Sequence, residues 1–194
     1  PFEKAKLVIR EMTDLLVLDL VDKGLVTNQI VLTVGYDIDN LKDPARRKKY
    51  HGEIKTDRYG RSIPKHAHGT ANLKKYTSST RLITQAVMEL FDRIVDEDLL
   101  VRRINMAATH VITEAEAQTQ SENSFEQLDL FTDYSARQSL LEKENEELEK
   151  ERKMQETMLE IKKKFGKNAI LKGMNLQEGA TAKDRNQQIG GHKA

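Results

Sequence analysis

The chain has 194 residues, 32 Lys and Arg against 31 Asp and Glu, a net charge of +1 and a mean hydropathy of −0.66. Cys is absent, which excludes a disulfide framework and thiolate metal sites and suits a cytoplasmic protein. No stretch approaches the ~20 apolar residues of a membrane helix, and Glu3, Lys4, Lys6, Arg10 and Glu11 break the apolar run that a signal peptide would need.

The chain begins at Pro1 without an initiator Met and reads as a piece of a longer or processed protein. Its apolar residues concentrate before residue 113, so one core is expected there. The near-zero net charge hides strong patterning. Residues 42–75 hold eleven Lys and Arg against Asp43, Glu53 and Asp57. Residues 114–133 hold six acidic residues and no Lys or Arg, while residues 134–165 balance eight against eight. The basic block suits a polyanion, which would repel the acidic stretch.

Residues 2–22 predict an amphipathic helix, with Ala5, Val8, Ile9, Met12, Leu16 and Leu20 at three- and four-residue spacing and Gly24 as the stop. Gln29–Tyr36 predicts a strand with Ile30, Leu32 and Val34 on one face. Turn signals at Asp39-Asn40, Asp43-Pro44, Tyr59-Gly60 and Pro64 make residues 37–64 a long basic excursion. Residues 67–77 predict a second strand, exposed on one face. Ser78, Ser79 and Thr80 offer an N-cap to a helix striped by Leu82, Ile83, Ala86, Val87, Leu90, Phe91 and Ile94 and ending near Asp96. Residues 99–112 predict a third strand, with Ile104, Met106 and Ala108 on one side and Arg103, Asn105 and Thr109 on the other.

That order predicts an α+β fold, a small antiparallel sheet with two helices on one face and the other face wet. Lys74, Arg103, Asn105 and Thr109 fall on the wet face. Two readings of it stand: an ordinary solvated face, or a surface for a nucleic-acid backbone. The cations that would serve the second are Arg46, Arg47, Lys48 and Lys49 in the excursion, with Arg61 and Lys65, and Lys74, Lys75, Arg102 and Arg103 on strands, beside Asn105. Alternation along a strand sends only one of each adjacent pair to a given face. Contacts of this kind reach phosphates and carry no sequence information.

Beyond the sheet, Gln127-Leu128-Asp129-Leu130-Phe131 sits in a segment with no period long enough to bury itself. Large apolar side chains left in water forgo about 1.5–3 kcal/mol each. Either Leu130 and Phe131 tuck back onto the domain, or the five residues form a linear motif whose Leu and Phe anchor in a partner's pocket. Residues 135–165 predict a mostly solvated helix held by Glu/Lys pairs, since Glu144, Glu151 and Arg152 fall where a coiled-coil core should be. Weak self-association through the 135–165 helix is the alternative. Residues 166–194, rich in Gly and Gln, predict a flexible tail. His66 and His68 alternate on a strand with His51 upstream; with no Cys and no carboxylate at ligand spacing they read as polar strand residues and not as a metal site.

Four stretches carry a family resemblance: Phe2-Glu3-Lys4-Ala5-Lys6-Leu7-Val8, Thr27-Asn28-Gln29-Ile30-Val31-Leu32-Thr33-Val34-Gly35-Tyr36, Lys65-His66-Ala67-His68-Gly69-Thr70-Ala71-Asn72-Leu73 and Leu100-Val101-Arg102-Arg103-Ile104-Asn105. With them, residues 1–113 resemble the little-finger domain of Y-family (ImpB/MucB/SamB, UmuC-like) translesion DNA polymerases, in a version similar to Gram-positive bacterial members. Gln127–Phe131 resembles the motif by which bacterial proteins ride on the DNA sliding clamp, and Asn168–Asn175 continues the likeness into the tail. The resemblance implies a little-finger fold lacking its first strand over residues 1–113. It also implies an acidic linker with the clamp motif over 114–133, a long charged helix over 134–165 and a tail over 166–194. The implied function is the DNA-binding and sliding-clamp-tethering C-terminal region of a DNA-repair polymerase of the SOS type. Its partners are template–primer duplex, including damaged DNA, and the clamp. Mg²⁺ is expected for the parent polymerase and no cofactor for this part. The resemblance places the catalytic acids in a palm domain whose sequence is not here, so no catalytic residue is carried over. The alternatives are a stand-alone nucleic-acid-binding module and a scaffold assembled through the long helix.

Overall fold

The computed structural model describes residues 2–122, 134–189 and 192–193, and they form a mixed α+β architecture. Helix α1 spans Phe2–Asp22. It ends at Gly24, whose φ of +63° is the left-handed conformation that closes a helix, with its N–H on the Val21 carbonyl at 3.1 Å. Strand β1 follows as Leu25–Tyr36. It starts before the expected Gln29 because Leu25 and Val26 pair with Thr113 and Ile112. The excursion contains two short helices, α2 Asp39–Lys42 and α3 Pro44–Lys49, and a hairpin of β2 Ile54–Thr56 with β3 Ser62–Pro64. Then come β4 Ala67–Thr77, α4 Thr80–Ile94, β5 Val101–Thr109, β6 Ile112–Thr113 and α5 Glu114–Glu122.

The sheet is antiparallel in the order β4-β1-β5, with β6 also on β1. Because side chains alternate across a strand, Ile30, Leu32 and Val34 of β1 all face the helices and are fully buried. They meet α1 through Ile9 and Val17 and α4 through Ile83, Val87 and Phe91, and the Phe2 and Phe91 rings sit 4.8 Å apart. Burial of such side chains at about 1.5–3 kcal/mol each is what holds the two layers together. Gly69 of β4 is needed at this interface, since a Cβ there would lie 2.8 Å from Leu90 Cδ1 and 3.2 Å from Ile94 Cγ2.

Helix α6, Tyr134–Phe165, is not solvated along its whole length. Gln155 and Met158 are buried, and Leu159 packs against the domain core. The charged residues at would-be coiled-coil positions are docking groups. Glu151 accepts from Ser79 Oγ at 2.6 Å and from the Arg81 N–H at 2.9 Å, placing a carboxylate on the N-terminal turn of α4, where the helix dipole favours it. Gln155 Nε2 donates to the Ser78 carbonyl and Thr80 Oγ1, Arg152 pairs with Glu114 at 2.8 Å, and Lys75 pairs with Glu144 at 3.2 Å. Ser79, the N-cap of α4 through its bond from the Leu82 N–H, is thus also the seat of α6.

Composition predicts flexibility for the tail, yet its described part lies folded on α1. It forms a 3₁₀ turn at Gly173–Leu176, α7 at Ala182–Arg185, and the paired β7 Gln188–Ile189 and β8 His192–Lys193. The reason is Glu11, only 1 % exposed in the middle of α1. Its carboxylate accepts from Asn175 Nδ2 at 2.9 Å, from the backbone N–H groups of Thr181 and Ala182 at 2.8 and 2.9 Å, and from Arg185 at 3.4 Å. A buried charge persists only when paired and hydrogen-bonded in this way. Lys172 adds an ion pair to Asp14 and Lys4 one to Glu178. Burial pushes the Arg185 guanidinium down from its ordinary range while Glu11 opposes that.

Candidate nucleic-acid interface

The sheet face opposite the helices is read off the register. Gly35 of β1 stands opposite Arg103 of β5, and Thr33 stands between His68 and Asn105. Val31 lies between Thr70 and Ala107, and Gln29 between Asn72 and Thr109. A polar ladder runs across these rows: Thr33 Oγ1 meets His68 Nδ1 at 2.8 Å, Gln29 Nε2 donates to Asn72 Oδ1 at 2.8 Å, and Thr109 Oγ1 donates to Gln29 Oε1 at 2.7 Å. Not one Asp or Glu occurs in β1, β4 or β5. The face therefore offers hydrogen-bonding groups and cations with no fixed negative charge.

Lys74, Lys75, Arg102 and Arg103 are all exposed. Each pair falls at an irregularity. The β1/β4 register jumps between Thr27 and Gln29, beside Lys74 and Lys75, and the β1/β5 register jumps between Gly35 and Tyr36, beside Arg102 and Arg103. Lys75 is engaged by Glu144, and Arg102 approaches Asp37 at 3.5 Å. Lys74 and Arg103 form no ion pair among the described residues, so they are the strand cations free to meet a polyanion.

The excursion is fixed to the sheet at the Arg103 end. Asn40, fully buried, donates through Nδ2 to the carbonyls of Asp37 and Leu100 and accepts the Leu100 N–H at 2.8 Å. Asp43 caps α3 by accepting from the Ala45 and Arg46 N–H groups, with Pro44 in the first turn. Arg46 is held by the Asp98 carbonyl at 3.3 Å, whereas Arg47, Lys48 and Lys49 are exposed and unpaired among the described residues. In the hairpin, Lys65 and Lys55 both pair with Glu53, at 2.6 and 2.5 Å, and hold its carboxyl down to about 2. Arg61 pairs with Asp57 at 2.7 Å, which lowers the Asp57 carboxyl.

The structure thus brings Arg46, Arg47, Lys48, Lys49, Arg61, Lys65, Arg102 and Arg103 to one end of the sheet. Asn105 stands one row in, and Lys74 and Lys75 lie toward the other end. From the Gly35 row to the Gln29 row the face runs six residue steps along β1, roughly 20 Å at about 3.3 Å per step, the length of about six duplex steps. The sequence pattern missed Gln29, Thr33 and Asn72 as members of this face; strand parity together with the lack of acids was the signal that could have found them. The clamp-motif residues Gln127, Leu128, Asp129, Leu130 and Phe131 lie outside the described residues. On its near side, Thr113 and Glu116 form a reciprocal capping box that starts α5, so part of the expected linker is helical.

Among the described residues no group of three or more His, Asp or Glu could hold a metal ion. Among the same residues no helix is long and apolar enough to cross a membrane.

The family model described as the impB/mucB/samB family C-terminal domain matches residues 2–130. No curated protein and no solved structure matches the chain.

Proposed function

The chain belongs to the impB/mucB/samB family of C-terminal domains, and on that footing we propose that it grips template–primer duplex and tethers its polymerase to a sliding clamp. Family membership supports the C-terminal region of a Y-family translesion DNA polymerase; the two binding functions are the proposal. The observation that carries the first is the acid-free sheet face, with Arg103 toward one end and Lys74 toward the other. Arg103, Lys74 and the exposed cations of α3 meet phosphates, while Asn105, Asn72 and Gln29 supply neutral hydrogen bonds to the same backbone. Contacts to the phosphate backbone carry no sequence information, which fits a domain that must track any duplex. The test is competition between two unrelated duplexes of equal length for the chain. Equal affinities that fall together with salt support the reading; a strong preference for one sequence contradicts it.

The clamp tether rests on Gln127–Phe131 and its resemblance to clamp-binding motifs. Leu130 and Phe131 fill the clamp's pocket, Gln127 bonds at its rim, and Asp129 points to solvent. The chain on either side is attached to the domain, through the pairing of β6 with β1 before it and the α6 contacts to Ser79 and Arg81 after it. The motif is thus joined to the DNA-gripping domain in one chain, and clamp and duplex contacts reinforce one another through effective concentration. Calorimetric titration of clamp with a peptide spanning residues 122–135 is the check. Leu130→Ala with Phe131→Ala should abolish binding, since anchors of this kind carry ~2 kcal/mol or more each; unchanged binding sinks the motif.

A further inference from the structure

The β2–β3 hairpin ends in an exposed ring. Tyr59 is 66 % exposed at the tip, with the Arg58 and Arg61 guanidinium carbons 4.8 and 5.0 Å from its ring centroid. Arg58 also donates to the Tyr59 hydroxyl at 2.6 Å. The tip is built, not loose. Asp57 Oδ1 accepts from the Tyr59 and Arg61 N–H groups at 2.8 and 3.0 Å, the Asp57 N–H donates to the Arg61 carbonyl at 2.9 Å, and Gly60 takes the φ of +76° that the turn needs. At its root, Tyr50 Oη and the Lys65 N–H both donate to the Glu53 carbonyl, at 2.7 and 2.9 Å, and Pro64 is buried. A rigid stem thus presents an aromatic ring to water between two guanidinium groups. Across residues 53–65 the cations Lys55, Arg58, Arg61 and Lys65 exceed the acids Glu53 and Asp57. Arg58 forms no ion pair among the described residues.

We propose that this tip binds single-stranded DNA, stacking one unpaired base on Tyr59 while Arg58 meets the adjoining phosphate. The ligand class follows from the chemistry. Every base has a π-face that stacks on an aromatic ring, and a planar guanidinium beside it serves both as a second stacking plane and as a phosphate partner. A duplex offers no such face except at its ends, so the tip and the sheet face take different forms of DNA. The proposal shares nucleic acid with the proposed function but does not require duplex binding by the sheet, and its test keeps the two apart.

The experiment is fluorescence anisotropy of labelled 12-mer oligothymidine, an abasic 12-mer of the same phosphate count, and a blunt duplex, each against the full chain. Tyr59→Ala should weaken oligothymidine binding at least about fivefold, the low end of what a stacked base contributes. Tyr59→Phe should retain binding, and duplex binding should stay within about twofold of wild type in both variants, because stacking is confined to unpaired bases. Wild type should bind the abasic strand no better than Tyr59→Ala binds oligothymidine. The chain has no Trp, so Tyr59→Trp supplies a sole indole reporter, whose emission should be quenched by oligothymidine and not by the abasic strand. Equal wild-type affinity for the thymidine and abasic strands, or an unchanged affinity in Tyr59→Ala, overturns the proposal whether or not the duplex binds. Loss of duplex binding alone strikes the sheet reading and leaves this one standing.

Discussion

Two buried polar residues, Glu11 and Asn40, decide more of this structure than their number suggests. Glu11→Ala leaves Asn175, Arg185 and the N–H groups of Thr181 and Ala182 without their acceptor. An unpartnered buried polar group costs about 1–3 kcal/mol, so the variant should lose roughly that much stability. Hydrogen exchange should quicken in residues 173–185 first; a uniform change across the chain would argue against a local latch. Asn40→Ala should act likewise on the excursion, with a comparable ~1–3 kcal/mol loss and faster exchange at Leu100. Protection there equal to wild type would show that Asn40 is not the pin. Glu53 makes a pH prediction. Its carboxyl is held at about 2, against an ordinary 4.5, by Lys55 first and then Lys65. A lowered folded value means that the ion pairs contribute fully above 4.5 and are lost as pH falls toward 2. The carboxyl carbon shift of Glu53 should titrate well below 4.5 and move up in Lys65→Ala; a wild-type midpoint near 4.5 would remove these pairs from solution.

Among the elements, those whose apolar residues recur at a clean period were legible from sequence. The α4 stripe, the β1 face of Ile30, Leu32 and Val34, and the β5 face of Ile104, Met106 and Ala108 stand where periodicity puts them, whereas of the expected α1 stripe Ala5, Ile9 and Leu20 enter the core, Leu16 packs against it, and Val8 and Met12 give way to Val17 and Val21. What stayed hidden depends on partners distant in sequence. The extra residues of β1 exist because β6 pairs with them, and the register jump beside Arg102-Arg103 is a bulge that no local pattern signals. Glu11 interrupts a stripe and so reads as a surface acid, while the tail that buries it is more than 160 residues away. The docking of α6 through Glu151 and Gln155 was illegible for a like reason: Glu151 looks like a defect in a heptad, yet both residues bond the start of α4. Gln155 and Met158 are thereby engaged within the chain and are not available to a partner helix. In Glu151→Ala the Ser79 hydroxyl and the Arg81 N–H lose their acceptor. That variant should lower the melting temperature by a few degrees, as ~1 kcal/mol does in a chain of this size, and an unchanged melting temperature would mean that α6 does not rely on this contact.

At the scale of the whole molecule, one side of the sheet carries the helices and the core, and the other is formed by three strands without Asp or Glu, with a capped basic helix fixed beside it by Asn40. α6 and the tail cover the helical layer and leave the far face open. Affinity built on phosphate contacts must fall with salt, each contact contributing about 0.9 to the slope of log affinity against log salt. The most direct measurement is that slope for a random-sequence duplex, in wild type, in Arg47→Ala/Lys48→Ala/Lys49→Ala, and in Arg103→Ala/Lys74→Ala. The acid-free face and α3 acting as a backbone grip predict a steep wild-type slope that falls by about 2–3 in the first variant and about 2 in the second; a slope unchanged by both variants, or no duplex binding at low salt, would contradict it.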